Sequence, residues 1–116
     1  MFANVFFEHS LLELSTKNRD GLHIFFSEII ATFGLIFVIF ATLKDGKTIV
    51  AISVATYISA GYWFTSSTSF ANPAVAIART FTESFTGINY LNTPTYILAE
   101  FIGLILAAYI LKIIYK

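Results

Sequence analysis

The chain has no cysteine, only two prolines and six glycines among its 116 residues, and 12% of it is charged. Without cysteine it forms no disulfide and offers no thiolate to a metal or a substrate. Seven basic residues balance seven acidic ones, so no net field selects nucleic acid or a strongly acidic partner. His9 and His23 both fall in the N-terminal stretch without spaced partners, and neither a catalytic triad nor a metal centre can be assembled from them. There is no glycine-rich phosphate loop. The chain is expected to be no enzyme and to need no cofactor or metal. Met1-Phe2-Ala3-Asn4 carries no basic cluster ahead of an apolar core, and Glu8 follows soon, so the start does not read as a signal peptide.

What fills the chain instead is apolar: 57% of the residues are hydrophobic and 17% aromatic. Three runs are predicted to span a membrane, at residues 24–43, 48–65 and 95–115. Roughly 20 residues at about 1.5 Å rise cover a hydrocarbon core about 30 Å thick. The first run is apolar except for Glu28, the second has no charged residue, and the third carries Glu100 near its start and Lys112 near its end. The second is a little short, which tilt or thinning must absorb. Lys44-Asp45-Gly46-Lys47 reads as a tight polar turn with Gly46 free to take positive φ, making the first two spans antiparallel neighbours.

Residues 66–94 are too many for a turn and contain an apolar helical piece, predicted at 73–85. Such a segment is expected to fold back into the membrane, where non-helical backbone survives only if protein or a water-filled cavity satisfies it. Lys44, Lys47, Lys112 and Lys116 flank one side, and Lys17 and Arg19 the other. The majority side, with the C-terminus, is predicted cytoplasmic. Tyr62 and Trp63, with Tyr96 opposite, fit an interfacial aromatic belt. Ala51, Ala55 and Ser59 on the second span, and Ala99, Gly103 and Ala107 on the third, form small-residue stripes expected to let helix backbones approach closely.

Within the long connection lies Asn72-Pro73-Ala74, after Ser66-Ser67-Thr68-Ser69-Phe70. Asparagine suits the cap of a helix, and proline its first turn, where no backbone donor is needed. A helix starting there would direct unpaired N–H groups, carrying about half a positive charge, at whatever passes. That is a recipe for admitting neutral solutes and refusing cations.

Ser69-Phe70-Ala71-Asn72-Pro73-Ala74, with the half-helix that follows it, resembles the second signature of the aquaporin (major intrinsic protein) channels. Ser27-Glu28-Ile29-Ile30-Ala31-Thr32-Phe33-Gly34 is similar to the opening of that family's fourth span, and Ala99 to Ala108 to its sixth. Leu11 to Lys17 resembles the end of the third span and the outer loop after it. The resemblance implies an all-α transmembrane fold, half of an inverted-repeat bundle, with three spanning helices and one re-entrant half-helix. Residues 1–23 then form a remnant of a preceding span and outer loop, and 24–116 the C-terminal half. With one Asn-Pro-Ala and no internal repeat, such a half cannot line a closed pore alone.

The resemblance also assigns residues. Asn72, Pro73 and Ala74 are expected at the pore, with Asn72 aiming its amide donors at the solute. Val75 stands where the family usually has an arginine, and Ala60, twelve residues before Asn72, where water-selective members tend to carry histidine. Ser69 is the third contributor to this filter, which is expected to be wider and less polar than a strict water filter. Some bacterial members with valine at that place are associated with uncharged metalloid hydroxides. Arg79, one turn after Val75 on the same face, reads either as a displaced selectivity arginine or as a side chain that snorkels or pairs with Glu83. Glu28 matches a glutamate that holds the re-entrant loop by accepting its hydrogen bonds; a proton relay is the alternative. Glu100, where family members often have proline, reads as facing the bundle or the headgroups.

The expectation is therefore a passive channel half-module for water and small uncharged solutes such as glycerol or metalloid hydroxides. It would sit in a lipid bilayer, as an integral protein of a bacterial inner membrane, beside a complementary N-terminal half or further protomers. The alternative is a truncated, non-transporting protein that only packs with other spans.

Overall fold

The computed structural model describes residues 2–115. Met1 and Lys116 lie outside them, and with Lys116 goes one of the four lysines on which the orientation reading rests. Every regular element among the described residues is helical: α1 (Phe2–Phe6), α2 (Leu22–Thr42), a 3-10 turn (Leu43–Asp45), α3 (Lys47–Phe64), α4 (Pro73–Arg79) and α5 (Thr93–Ile114). Two of these, Leu22–Asp45 (α2 with its 3-10 extension) and α5, are long and apolar enough to cross a membrane. The helix between them has 18 residues, or about 27 Å of rise. Ser53, Thr56, Ser59, Gly61 and two tyrosines dilute it, so its apolar length falls below that of its neighbours. Gly46, at φ +97, makes the corner between α2 and α3, a conformation open to glycine at little cost.

Helices α2 and α5 form the main packing seam. Thr32 of α2 meets Gly103 of α5, and Ala31 on α2 and Ala99 and Ala107 on α5 are buried as well. A Cβ added at Gly103 would sit 2.6 Å from the Ile29 carbonyl oxygen and 2.9 Å from the Thr32 Cβ. The glycine is thus what lets the two backbones touch. The stripe on α3 behaves differently. Ala51, Ala55 and Ser59 are exposed, and Ser59 Oγ donates back to the Ala55 carbonyl at 2.8 Å. The expected helix contact does not form within this chain, because α3 turns another face to α2. There the Tyr57 hydroxyl lies against Gly34 and donates to the Ala31 carbonyl at 3.0 Å.

Helix α4 ends six residues before the predicted 85. Thr80 and Phe81 already close i→i−3 bonds onto Ile77 and Ala78, tightening the last turn. The carbonyls that would continue the helix are taken from outside: the Arg79 oxygen accepts from the Ile88 N–H at 3.3 Å, and the Thr80 oxygen from the Ser15 N–H at 2.9 Å.

The N-terminal stretch is strapped onto the connection after α4. The Asn89 N–H donates to the Lys17 carbonyl at 2.8 Å, and the Thr16 N–H to Glu83 Oε2 at 2.5 Å. Arg19, expected as an outer surface charge, is buried: its Nε donates to the Gly87 carbonyl and its Nη2 to the Phe85 carbonyl, each at 2.8 Å. Its guanidinium caps carbonyls of an irregular segment that has no partner of its own, which is why a cation is tolerated there.

Candidate functional site

The residues before Asn72 adopt a backbone that ordinary side chains avoid. Thr68, Ser69 and Ala71 have φ of 64, 50 and 52 degrees, in the left-handed region. Each such residue costs about 1–2 kcal/mol, so the segment needs outside support.

Two buried carboxylates supply much of it. Glu28, fully buried on α2, accepts from the Phe70 N–H at 3.4 Å through Oε2 and from the Ala71 N–H through Oε1. Glu100, 1% exposed on α5, accepts from the Asn72 N–H at 3.0 Å through Oε1. Three successive amides are thus divided between two helices. Further ties come from the Tyr96 hydroxyl, which donates to the Ser67 carbonyl at 3.0 Å, and from the Ser66 N–H, which donates to Ser27 Oγ at 2.9 Å. Tyr96 is therefore buried at 2% exposure, not part of an interfacial belt. Its hydroxyl has a carbonyl inside the fold to satisfy it, and its ring packs on Phe70 with centroids 4.9 Å apart. Trp63, by contrast, is 91% exposed.

Asn72 is extended (φ −160, ψ 121), and its Oδ1 accepts from the Ala74 N–H at 2.9 Å, the side-chain cap that starts α4. Its carbonyl accepts from the Val75 and Ala76 N–H groups. Pro73 occupies the first turn. With Oδ1 committed, the Nδ2 donors of Asn72 remain on a side chain that is exposed, as is Ala74.

The four filter candidates stand in different environments. Ala60 is exposed on α3, and Val75 is half-buried against the small core of Phe70, Ala76, Ile88 and Tyr96. Ser69 is buried against Gly61, where an added Cβ would meet Ser69 Oγ at 2.5 Å. Arg79 is half-buried; its Nη2 donates to the Tyr62 hydroxyl at 2.6 Å, and its guanidinium stacks 4.3 Å from the Phe70 ring centroid. The pair with Glu83 does not form, since Glu83 takes the Thr16 N–H and, at 3.2 Å, its hydroxyl. Arg79 Nη1 and Ser69 Oγ are buried without a hydrogen-bond partner among the described residues.

Tyr62, Tyr96 and Arg19 were legible in the sequence only as interfacial or flanking residues. Glu100 carried one usable signal: a carboxylate in an apolar run needs a partner, and the nearest demand was the loop.

The chain is 42% identical over 110 residues, 95% of its own length, to aquaglyceroporin AqpS of Rhizobium meliloti (strain 1021). It spans about half, 47%, of the length of that curated relative. No protein-family model matches the chain. No solved structure matches it either.

Proposed function

We infer, from a chain whose likeness to the C-terminal half of an aquaporin-family protein extends over 95% of its length, that it supplies one half of a passive membrane channel. The channel takes water and small uncharged solutes such as glycerol or metalloid hydroxides. Residues 24–43, 48–65 and 95–115 are its spans, and 66–94 dips into the membrane with α4. The chain sits in the inner membrane of a bacterium with its C-terminus cytoplasmic. A complementary N-terminal half, or further protomers, covers the exposed Asn72 and Ala74 and the exposed stripe of Ala51, Ala55 and Ser59.

The observation that carries this reading is Asn72. Its backbone is pinned to Glu100, its Oδ1 is committed to Ala74, and its amide donors are left on the open side. A structural turn gains nothing from presenting donors in that way. A passing hydroxylated solute, stripped of part of its water, gains a hydrogen bond of about 1 kcal/mol net. Cations are refused by the guanidinium of Arg79, held near the tip by Tyr62 and Phe70. Val75 in place of arginine, with the exposed Ala60 and with Ser69 packed behind them against Gly61, leaves a constriction lined by small groups that suits solutes larger than water.

The experiment is osmotic swelling of vesicles holding the chain together with the N-terminal half of its relative. Glycerol flux is expected to appear with both halves. Arg79→Ala is expected to leave water flux within about twofold and to change the glycerol-to-water ratio several-fold, with cation leak rising. An unchanged ratio and no leak would show that Arg79 only packs.

A further inference from the structure

We propose that Glu100 is a positioning residue for Asn72, a second anchor that fixes the tip of the loop independently of Glu28. The two carboxylates approach the same three-residue stretch from opposite helices. Glu28 of α2 takes the amides of Phe70 and Ala71, and Glu100 of α5 takes the next one, that of Asn72. The division matters because the backbone changes direction between them. Ala71 is left-handed at φ 52, whereas Asn72 is extended at φ −160. One acceptor cannot follow both amides through that reversal, so a loop held by Glu28 alone leaves the Asn72 peptide plane free to swing.

Fixing that plane fixes the side chain. With the N–H turned inward to Glu100, the Asn72 Cβ faces outward and its Oδ1 reaches the Ala74 N–H at 2.9 Å. The amide donors then have one direction left. The spacing of the anchors is set by the helix seam. Glu28 lies one turn before Thr32 and Glu100 one turn before Gly103, and those two residues meet where α2 and α5 touch. Glu100 is 1% exposed, and its second oxygen, Oε2, has no partner among the described residues. A carboxylate buried for bulk alone would be costly, and an apolar side chain would fill the space better. The bond to Asn72 is what the position gains from being acidic. The use of Asn72 toward solute belongs to the reading above; the anchoring does not depend on it.

The test reads the loop itself: amide hydrogen exchange at Phe70, Ala71 and Asn72 in the intact chain in lipid nanodiscs. In the parent, the Asn72 amide is expected to be protected although its side chain is exposed. In Glu100→Leu, exchange at Asn72 should rise at least about tenfold, while Phe70 and Ala71 change little, because the acceptor of one amide has been removed and the other two keep theirs. Glu100→Gln, which keeps a carbonyl acceptor, should restore protection to within a few-fold of the parent. Equal acceleration at all three amides in a folded Glu100→Leu chain, or no rescue by glutamine, would overturn the proposal. If leucine loosens the whole chain, the parent decides: an Asn72 amide exchanging as freely as an exposed one, beside protected Phe70 and Ala71, would overturn it too.

Discussion

Glu28→Leu is expected to release residues 68–71 from the position they hold between α2 and α5. Two opposing sums set this outcome. Three left-handed residues, Thr68, Ser69 and Ala71, store about 3–6 kcal/mol at about 1–2 kcal/mol each. Two hydrogen bonds to Glu28 contribute about 0.5–1.5 kcal/mol each, short of that strain. The bonds from Asn72 to Glu100, Tyr96 to Ser67 and Ser66 to Ser27 then tip the balance toward the strained form. Leucine removes both bonds at residue 28 and leaves the Phe70 and Ala71 N–H groups buried and unpaired, at about 1–3 kcal/mol apiece. The strained backbone has no reason to persist. Glu28→Gln keeps one carbonyl acceptor and should lose about half as much. Amide hydrogen exchange checks this: exchange at Phe70 and Ala71 is expected to be fast in Glu28→Leu, intermediate in Glu28→Gln and slow in the parent. Equal protection in all three would mean that the loop is held by packing alone, and equal loss in both variants would argue against an acceptor role.

Gly103→Val is expected to have the second large effect. The valine Cβ would be forced against the Ile29 carbonyl oxygen at 2.6 Å, the Thr32 Cβ at 2.9 Å and the Phe33 nitrogen at 3.1 Å. Two of these three are backbone atoms of α2 and cannot rotate away, so the helices must separate. Overpacking of this kind costs about 1–3 kcal/mol and more where backbone is involved. The cost also reaches the site, because the same seam sets how far Glu28 stands from Glu100. Unfolding of the chain in mixed micelles should shift by that amount, and amide exchange at both Ala71 and Asn72 should rise together. Ala55→Val, on the exposed face of α3, serves as the comparison. It should leave the isolated chain unaltered and weaken only its association with a second half. A neutral Gly103→Val would mean that the α2–α5 contact does not govern stability.

The two stripes show what a sequence can and cannot disclose. Ala99-Gly103-Ala107 and Ala51-Ala55-Ser59 have the same spacing, yet one is sealed against α2 and the other faces outward. Periodicity marks a face but carries no address for it. Local chemistry was easier to read. The cap at Asn72, the proline after it and the positive φ at Gly46 each depend on a few neighbouring residues, and all three stand where the residue types require. The lone carboxylate in the first apolar run could be paired with the loop because the resemblance named its partner. Glu100 had no such guide, since its partner is a backbone amide 28 residues away.

Similar distance hid the burial of Arg19, whose acceptors Phe85 and Gly87 come from the far side of α4, and of Tyr96, whose acceptor is Ser67. The premature end of α4 has the same origin. The composition of residues 80–85 permits more helix, but Ser15 and Ile88 claim the carbonyls first.

Accessibility at the tip of the loop decides whether Asn72 faces a hydrated passage. The natural chain has no cysteine, so Ala74→Cys provides a single thiol beside Asn72. With a complementary half present in vesicles, a small hydrophilic thiol reagent should modify this position and block glycerol flux, while a bulky reagent of the same charge should fail to reach it. Equal reaction with both reagents would place the tripeptide in bulk solvent, and reaction with neither would place it in a dry interior; each contradicts a hydrated passage at Asn72.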